Sequence, residues 1–168
     1  MGTTSVKTAR SEDLEVVRVP VQELTADAFA PYGEVSRPGA GLAVDVADGA
    51  VSTCHVRCTV QPATVEFLAR HKMTTQVYAP LGAGESILIV APASPEIEDS
   101  PAIDRARIAA FRLDGSCAIN LHRGTWHRAP MPVSGTADFL VIDREGTLDD
   151  LEILDLGSEL GVALEVAG

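Results

Sequence analysis

The sequence predicts an all-β protein in which mainly antiparallel strands form a sandwich or a barrel. About eight short segments are apolar or alternate apolar with polar residues, and turn residues separate them. No segment shows the longer period of an amphipathic helix. These two observations disfavour a doubly wound α/β fold.

The predicted strands are five to ten residues long. They are residues 16–21, 52–61, 75–79, 87–91, 108–113, 117–121, 136–143 and 151–156. Asp114 and Gly115 are a common turn pair and predict a hairpin between the fifth and sixth of these strands. Gly82 and Gly84 mark a further turn between the third and fourth.

The sequence also predicts two short helical segments and two loops. Residues 24–29 predict a short helix that Thr25 caps and that ends before Pro31. Residues 66–71 predict a single helical turn. Residues 37–50 and 92–104 predict loops, the first rich in Gly, Ala and Asp and the second rich in Pro and acidic residues.

Length and composition predict one domain. The chain has 168 residues, of which 46% are hydrophobic, and this suffices for one buried core. Residues 1–15 are small and polar and predict a flexible N-terminus, which leaves residues 16–168 as the domain. They lack the apolar stretch of a secretory signal, and the three cysteines form no CxxC pair. Reduced thiols and a cytoplasmic location are therefore expected.

The charge distribution narrows the class of partner. A formal charge of −11 disfavours nucleic acid and anionic membranes. Seven acidic residues and no Lys or Arg lie in residues 145–168, which predicts a solvated acidic tail. Basic residues gather in residues 70–72 and 105–128. These are either ordinary surface charges or the lining of a pocket that attracts a small anion.

His122 and His127 are the leading candidates for chemistry. They flank a bend at Gly124, beside Arg123 and Trp126, and follow a predicted strand near the mouth of a barrel. Histidine titrates near neutral pH, so either ring is a candidate acid, base or metal ligand, with a structural hydrogen bond as the alternative. The sequence carries no dinucleotide-binding, Walker, nucleophile-elbow or HExxH motif.

Three ordered blocks resemble the ureidoglycolate lyase family. Residues 71–82 (HKMTTQVYAPLG) resemble its HxxxTQxFxPL block, and residues 120–127 (NLHRGTWH) resemble its YHRGxWH block. Residues 138–144 (DFLVIDR) resemble its DFLxIDR strand, and the run FAPYGE at residues 29–34 fits its opening. The four segments follow the order of the family along the chain, and together they extend over nearly the whole domain.

The resemblance implies a cupin-type β-barrel, or jelly roll, and a homodimer. It also implies a carbon–nitrogen lyase of allantoin degradation, in purine metabolism, that splits ureidoglycolate into glyoxylate and urea. The family is associated with a divalent metal such as nickel, whose ligands would be His71, His122 and His127. Gln76 stands where a cupin motif usually has a glutamate ligand, and a neutral amide binds metal poorly.

The implied reaction needs a base, an acid and a cation for the substrate carboxylate, and no redox cofactor. We assign proton transfer to His122 and His127. We assign binding of the substrate carboxylate to Arg70 or Arg123. Gln76 is a further predicted catalytic residue that, with Thr75, would hydrogen-bond the ureido group. The predicted substrate-binding residues are His71, Thr75, Arg70, Arg123 and Trp126.

Two other classes of function stay open. One is a cupin that binds a small anion without turnover, and the other is a metal-dependent cupin enzyme that acts on another small carboxylate.

Overall fold

The computed structural model describes residues 14–93 and 103–167. Its strands are β1 (Glu15–Glu23), β2 (Gly33–Val35), β3 (Val51–Thr59), β4 (Thr64–Val65), β5 (Phe67–His71), β6 (Gln76–Pro80), β7 (Ser86–Ala91), β8 (Ala109–Leu113), β9 (Ile119–Leu121), β10 (Trp126–His127), β11 (Met131–Pro132), β12 (Thr136–Arg144), β13 (Leu151–Asp155) and β14 (Val162–Ala167). Helix is limited to α1 (Ala26–Phe29), α2 (Leu156–Leu160) and the 3-10 turns Arg105–Arg107 and Thr147–Asp150. The all-β prediction is confirmed.

The predicted flexible N-terminus, residues 1–15, and the predicted loop 92–104 lie largely outside the described residues. The helix predicted at residues 24–29 is α1, and the Thr25 hydroxyl caps it by accepting a hydrogen bond from the amide of Ala28. Within the described ranges, no helix is long and apolar enough to cross a membrane.

The strands form two sheets that face each other. The larger sheet has the order β13-β5-β10-β7-β8-β1-β14-β4, with β11 also paired to β7, and the smaller has the order β2-β9-β6-β12-β3. Strand β1 pairs in parallel with β8 and β14, and the other strand pairs are antiparallel. A cavity opens between residues of edge strand β3 and residues of β5 and β13. The architecture is therefore an open barrel, in agreement with the expected cupin-type fold.

Strand β7 of the larger sheet is buried on both faces. Leu88 and Val90 pack into a core shared with Phe139 of the smaller sheet. Ile89 and Ala91, which alternate with them along β7, pack into a second core formed with β14 and α2. A strand covered on both sides has no solvent face, which explains the uninterrupted apolar run in β7.

The helical turn predicted at residues 66–71 is wrong. Strand β5 runs through this segment and pairs antiparallel with β13 and β10. Leu68 and Arg70 face the second core, whereas Ala69 and His71 face the cavity. A segment with weak local preference adopts the conformation that its distant partner strands impose.

The hairpin predicted at Asp114 and Gly115 is also wrong. Strand β8 pairs with β7 and β1, and strand β9 pairs with β6 and β2. The turn therefore carries the chain from one sheet to the other. Gly115 adopts a φ of 82°, and a Cβ at this position would lie 2.6 Å from the carbonyl oxygen of Gly82. The two glycine turns pack backbone against backbone.

The acidic C-terminal segment is not a solvated tail. Strand β14 lies parallel to β1, and Leu156, Val162 and Leu164 of this segment are fully buried in the second core. The short strands β2, β4, β10 and β11 were not predicted either, because two or three residues are too few to show a period.

We expect Gly115→Ala to lower the free energy of unfolding by about 3 kcal/mol or more. The change places an L side chain at positive φ, which costs about 1–2 kcal/mol, and adds a clash with Gly82. Gly135→Ala is the matched control, because its φ is 61° and its Cβ would meet no atom within 4 Å. Urea denaturation measures both variants. Equal losses for the two would refute the proposed packing of the turns.

Candidate functional site

Strand β10 brings two of the sequence blocks together. It lies between β5 and β7, with His127 opposite Ala69 and Trp126 opposite Ala91. The amide of Gly124 donates a hydrogen bond to the carbonyl oxygen of His71, at 2.7 Å. Gly124 has a φ of 76°, a conformation that favours glycine, so the bend before β10 depends on this residue. The block that begins at His71 and the block that ends at His127 thus share one site.

The site is a cavity of about 430 Å³ between the two sheets, a size typical of small-molecule sites. His71, His127 and Tyr78 line it together with mainly apolar side chains. The other lining residues are Val56, Arg57, Cys58, Thr59, Gln61, Phe67, Ala69, Arg128, Ala129, Pro130 and Leu151.

The two cavity histidines are held in similar ways. The ring centroids of His71 and His127 are 5.9 Å apart. Nδ1 of His127 lies 3.0 Å from the carbonyl oxygen of Thr125, and Nδ1 of His71 lies 3.0 Å from that of Thr147. A carbonyl oxygen only accepts, so each neutral ring carries its proton on Nδ1. Neither Nε2 atom has a hydrogen-bond partner in the described part of the chain, which leaves both available to a ligand.

Burial sets the charge of His127. The side chain is 5% exposed, and desolvation lowers its pKa to about 4. The hydrogen bond to Thr125 opposes this shift, whereas the nearby His71 adds to it. His127 is therefore neutral near pH 7 and can accept a proton at Nε2.

Asp150 holds the end of β5 on which His71 lies. Its Oδ2 atom accepts hydrogen bonds from the amides of Lys72, at 3.0 Å, and Met73, at 2.7 Å. Its Oδ1 atom lies 3.7 Å from Nδ1 of His71. The Asp150 carboxylate therefore lies on the Nδ1 side of the His71 ring.

Arg128 lines the cavity and has no carboxylate partner in the described residues. Its guanidinium stacks over the ring of Phe67, 4.7 Å from the centroid, and it forms no ion pair within residues 14–93 and 103–167. Arg57 also lines the cavity, but it makes two hydrogen bonds of 2.8 Å to Asp138. Arg128 therefore offers the uncompensated positive charge.

Arg70 and Trp126, which the sequence predicted to bind substrate, lie on the face of the larger sheet opposite the cavity. Each is adjacent in sequence to a cavity histidine, and alternation along a strand points it the other way. The Arg70 guanidinium stacks 4.4 Å from the centroid of Trp126 and donates to Glu152 at 2.6 Å. Lys72 also pairs with Glu152. The basic cluster at residues 70–72 is thus compensated by the acidic C-terminal segment.

His122 does not join His127. Strand β9 ends at Leu121, so His122 falls in the following turn, where its side chain is exposed and outside the cavity lining. Arg123, in the same turn, is paired with Asp45 at 2.5 Å and is also absent from the lining. The structure brings His71 to His127 instead.

Thr75 and Gln76 serve internal contacts. The Thr75 hydroxyl accepts from the amide of Asp45 at 3.0 Å. The Gln76 side-chain amide donates to the Asp143 carboxylate at 2.9 Å. Both side chains are buried, and neither lines the cavity. The Thr75 contact joins the start of β6 to the loop at residues 37–50, and the Gln76 contact joins β6 to β12.

The donor set does not fit a tightly held divalent metal. Across the described ranges, no three His, Cys, Asp or Glu side chains are grouped as metal ligands. Of the three predicted ligands, only His71 and His127 lie together, and Gln76 is engaged by Asp143. We therefore derive no step through a metal.

Three residues of the site were missed at the sequence level: Arg128, Tyr78 and Asp150. Arg128 belongs to the basic segment 105–128 but is not singled out by any spacing. Tyr78 lies inside the first block, two residues after Gln76, on the face that alternation assigns to the interior. Asp150 gives no signal in the sequence, because its contact with residues 71–73 depends on the pairing of β13 with β5.

Comparison with known proteins supports the sequence resemblance. Residues 40–163 match the family model described as ureidoglycolate lyase. A ureidoglycolate lyase of Pseudomonas fluorescens is 31% identical over 147 residues, which cover 76% of this chain and 84% of that protein. Ureidoglycolate lyases of Pseudomonas putida and Pseudomonas entomophila are each 30% identical with the same coverage.

We expect the free energy of unfolding to fall as the pH is lowered from about 6.5 to 4. Unfolded chains protonate His127 near its ordinary pKa of 6.5, whereas the folded protein does so only near 4. Between these values the unfolded state binds more protons, so acid destabilises the fold by up to about 3 kcal/mol.

Urea denaturation of the protein and of His127→Gln at pH 7 and pH 4.5 tests this. The variant lacks the titrating group, so its stability should depend less on pH. The same loss in both proteins would contradict the assignment of the depressed pKa to His127.

Proposed function

This chain belongs to the ureidoglycolate lyase family, and we propose that it cleaves ureidoglycolate into glyoxylate and urea. One observation carries this proposal from the structure. Two histidines with unpartnered Nε2 atoms share a cavity with one arginine that has no carboxylate partner in the described residues. These are the base, acid and cation that the cleavage needs.

Arg128, His127 and His71 lie in that order along the length of β5. Arg128 stacks on Phe67, His127 lies opposite Ala69, and His71 ends the strand. Phe67 and His71 are about 13 Å apart along a strand that rises about 3.3 Å per residue. His127 is thus between the cation and the second histidine, so a substrate carboxylate at Arg128 places the reacting carbon near His127 and the ureido group toward His71.

His127 acts as the base. Its neutral Nε2 accepts the proton of the substrate hydroxyl, and the oxygen electron pair forms the aldehyde C=O bond of glyoxylate. The C–N bond breaks in the same step, and its electron pair passes to the ureido nitrogen. Nδ1, hydrogen-bonded to Thr125, keeps the ring oriented while Nε2 carries the proton.

His71 acts as the acid. In its protonated form it gives the Nε2 proton to the departing nitrogen and releases neutral urea. Thr147 and Asp150 on the Nδ1 side fix the ring in position. The proton gained by His127 equals the proton lost by His71, so the two rings are restored by exchange with solvent. The reaction consumes no water and no redox equivalent.

We further propose that the protein works as a homodimer, as its family resemblance implies. Its three free cysteines favour a reducing, cytoplasmic location. Edge strands support an interface between copies. Ile153 of β13 is 64% exposed, and Val51 of β3 is 51% exposed, so apolar surface lies on the outer strand of each sheet.

The histidine roles predict contrasting effects of three substitutions. We expect His127→Gln and His71→Gln to lower kcat for ureidoglycolate about 10²–10⁴-fold, because each removes a positioned proton carrier. His122→Gln is the control and should change kcat less than about threefold. Formation of glyoxylate and urea is measured above the uncatalysed breakdown of the substrate, with circular dichroism as the check on folding.

Two results would overturn the assignment. One is a folded His127→Gln variant that retains wild-type kcat, and the other is a His122→Gln variant that loses as much as His127→Gln. Saturable binding of ureidoglycolate by the wild-type protein without release of glyoxylate would instead favour a non-catalytic binding protein.

Arg128 is expected to bind the carboxylate. Arg128→Gln should raise KM about 10–100-fold, since a hydrogen bond to a charged group contributes about 1.5–3 kcal/mol. It should weaken inhibition by glyoxylate and leave inhibition by urea unchanged. Arg123→Gln is the matched control, because Arg123 is paired with Asp45 outside the cavity lining. A larger rise in KM for Arg123→Gln than for Arg128→Gln would refute this role.

A further inference from the structure

Tyr78 contributes a hydroxyl group to the cavity that the mechanism above does not use and that has no hydrogen-bond partner in the described residues. It lies at the centre of β6, is 6% exposed and lines the cavity with both histidines. Its ring meets that of His127 at a centroid distance of 6.3 Å and that of Phe139 at 6.0 Å, edge-on in each case. These contacts fix the ring in one orientation.

The hydroxyl group of Tyr78 differs from that of the other tyrosine. The Tyr32 hydroxyl donates to the carbonyl oxygen of Arg107 at 2.8 Å, whereas the Tyr78 hydroxyl has no hydrogen-bond partner within the described ranges. Burial raises the pKa of Tyr78, so its hydroxyl keeps its proton and acts as a donor. A ligand that offers an acceptor inside the cavity would therefore give this donor a partner.

We propose that the Tyr78 hydroxyl donates a hydrogen bond to the carbonyl oxygen of the substrate's ureido group. This inference rests on the proposed function. Arg128 takes the carboxylate, His127 the hydroxyl and His71 the ureido nitrogen, which leaves the ureido oxygen as the substrate acceptor without a donor. Negative charge shifts onto the urea as the C–N bond breaks. A donor at that oxygen therefore binds the substrate and stabilises the leaving group.

Tyr78→Phe tests the proposal, because it removes only the oxygen. We expect kcat/KM for ureidoglycolate to fall about 3–10-fold, the range for a neutral hydrogen bond. Binding of urea, followed as product inhibition and as an NMR titration of the free protein, should weaken by a similar factor. Binding of glyoxylate should not change, because its carboxylate is held by Arg128. Tyr32→Phe removes a hydroxyl outside the cavity and should alter neither affinity.

Unchanged urea affinity in folded Tyr78→Phe would overturn the proposal. Weakened binding of glyoxylate instead of urea would overturn it too, since the hydroxyl would then face the carboxylate. Absence of glyoxylate formation by the wild-type protein would refute the proposed function separately. The urea titration does not depend on turnover, so it decides the role of Tyr78 in either case.

Discussion

The cavity depends on the insertion of β10 between β5 and β7. This two-residue strand places His127 opposite Ala69 and, by alternation, sends Trp126 to the other face. A shift of one residue in this register would exchange the two side chains. It would remove His127 from the cavity and the large side chain of Trp126 from the second core. The amide of Gly124 fixes the register through its hydrogen bond to the carbonyl of His71. Function and core packing are thus specified by the same pairing.

The acidic surplus of the chain also shapes the site. Glu152 compensates Arg70 and Lys72, and Asp150 binds the backbone that follows His71. The segment that carries these acids is an integral edge of the larger sheet. Because the neighbouring cations are paired, the unpaired positive charge that a small anion meets in the cavity is that of Arg128. The carboxylates therefore direct the substrate by neutralising the alternative cations.

Burial sets the protonation states of His127 and Tyr78. His127 and Tyr78 are almost wholly removed from water, so the histidine stays neutral and the phenol keeps its proton. Nε2 of His127 and the Tyr78 hydroxyl have no hydrogen-bond partner in the described residues, and both side chains line the cavity. A ligand in the cavity can therefore bond to both groups. The apolar walls that surround them strengthen each hydrogen bond formed inside.

The sequence by itself determined the all-β class, the capped helix at Thr25, eight strand positions and the residue blocks that indicate the family. These features are local: they depend on period, turn residues and short ordered motifs. The sequence also indicated His71 and His127 as candidate site residues, grouped with His122 as possible metal ligands, but it assigned proton transfer to His122 and His127. The tertiary structure decided that β5 is a strand, that Asp114 and Gly115 join two sheets, and that Arg128 rather than Arg70 or Arg123 meets the cavity. Strand register decides which of two adjacent residues faces inward, and register is set by partners distant in sequence.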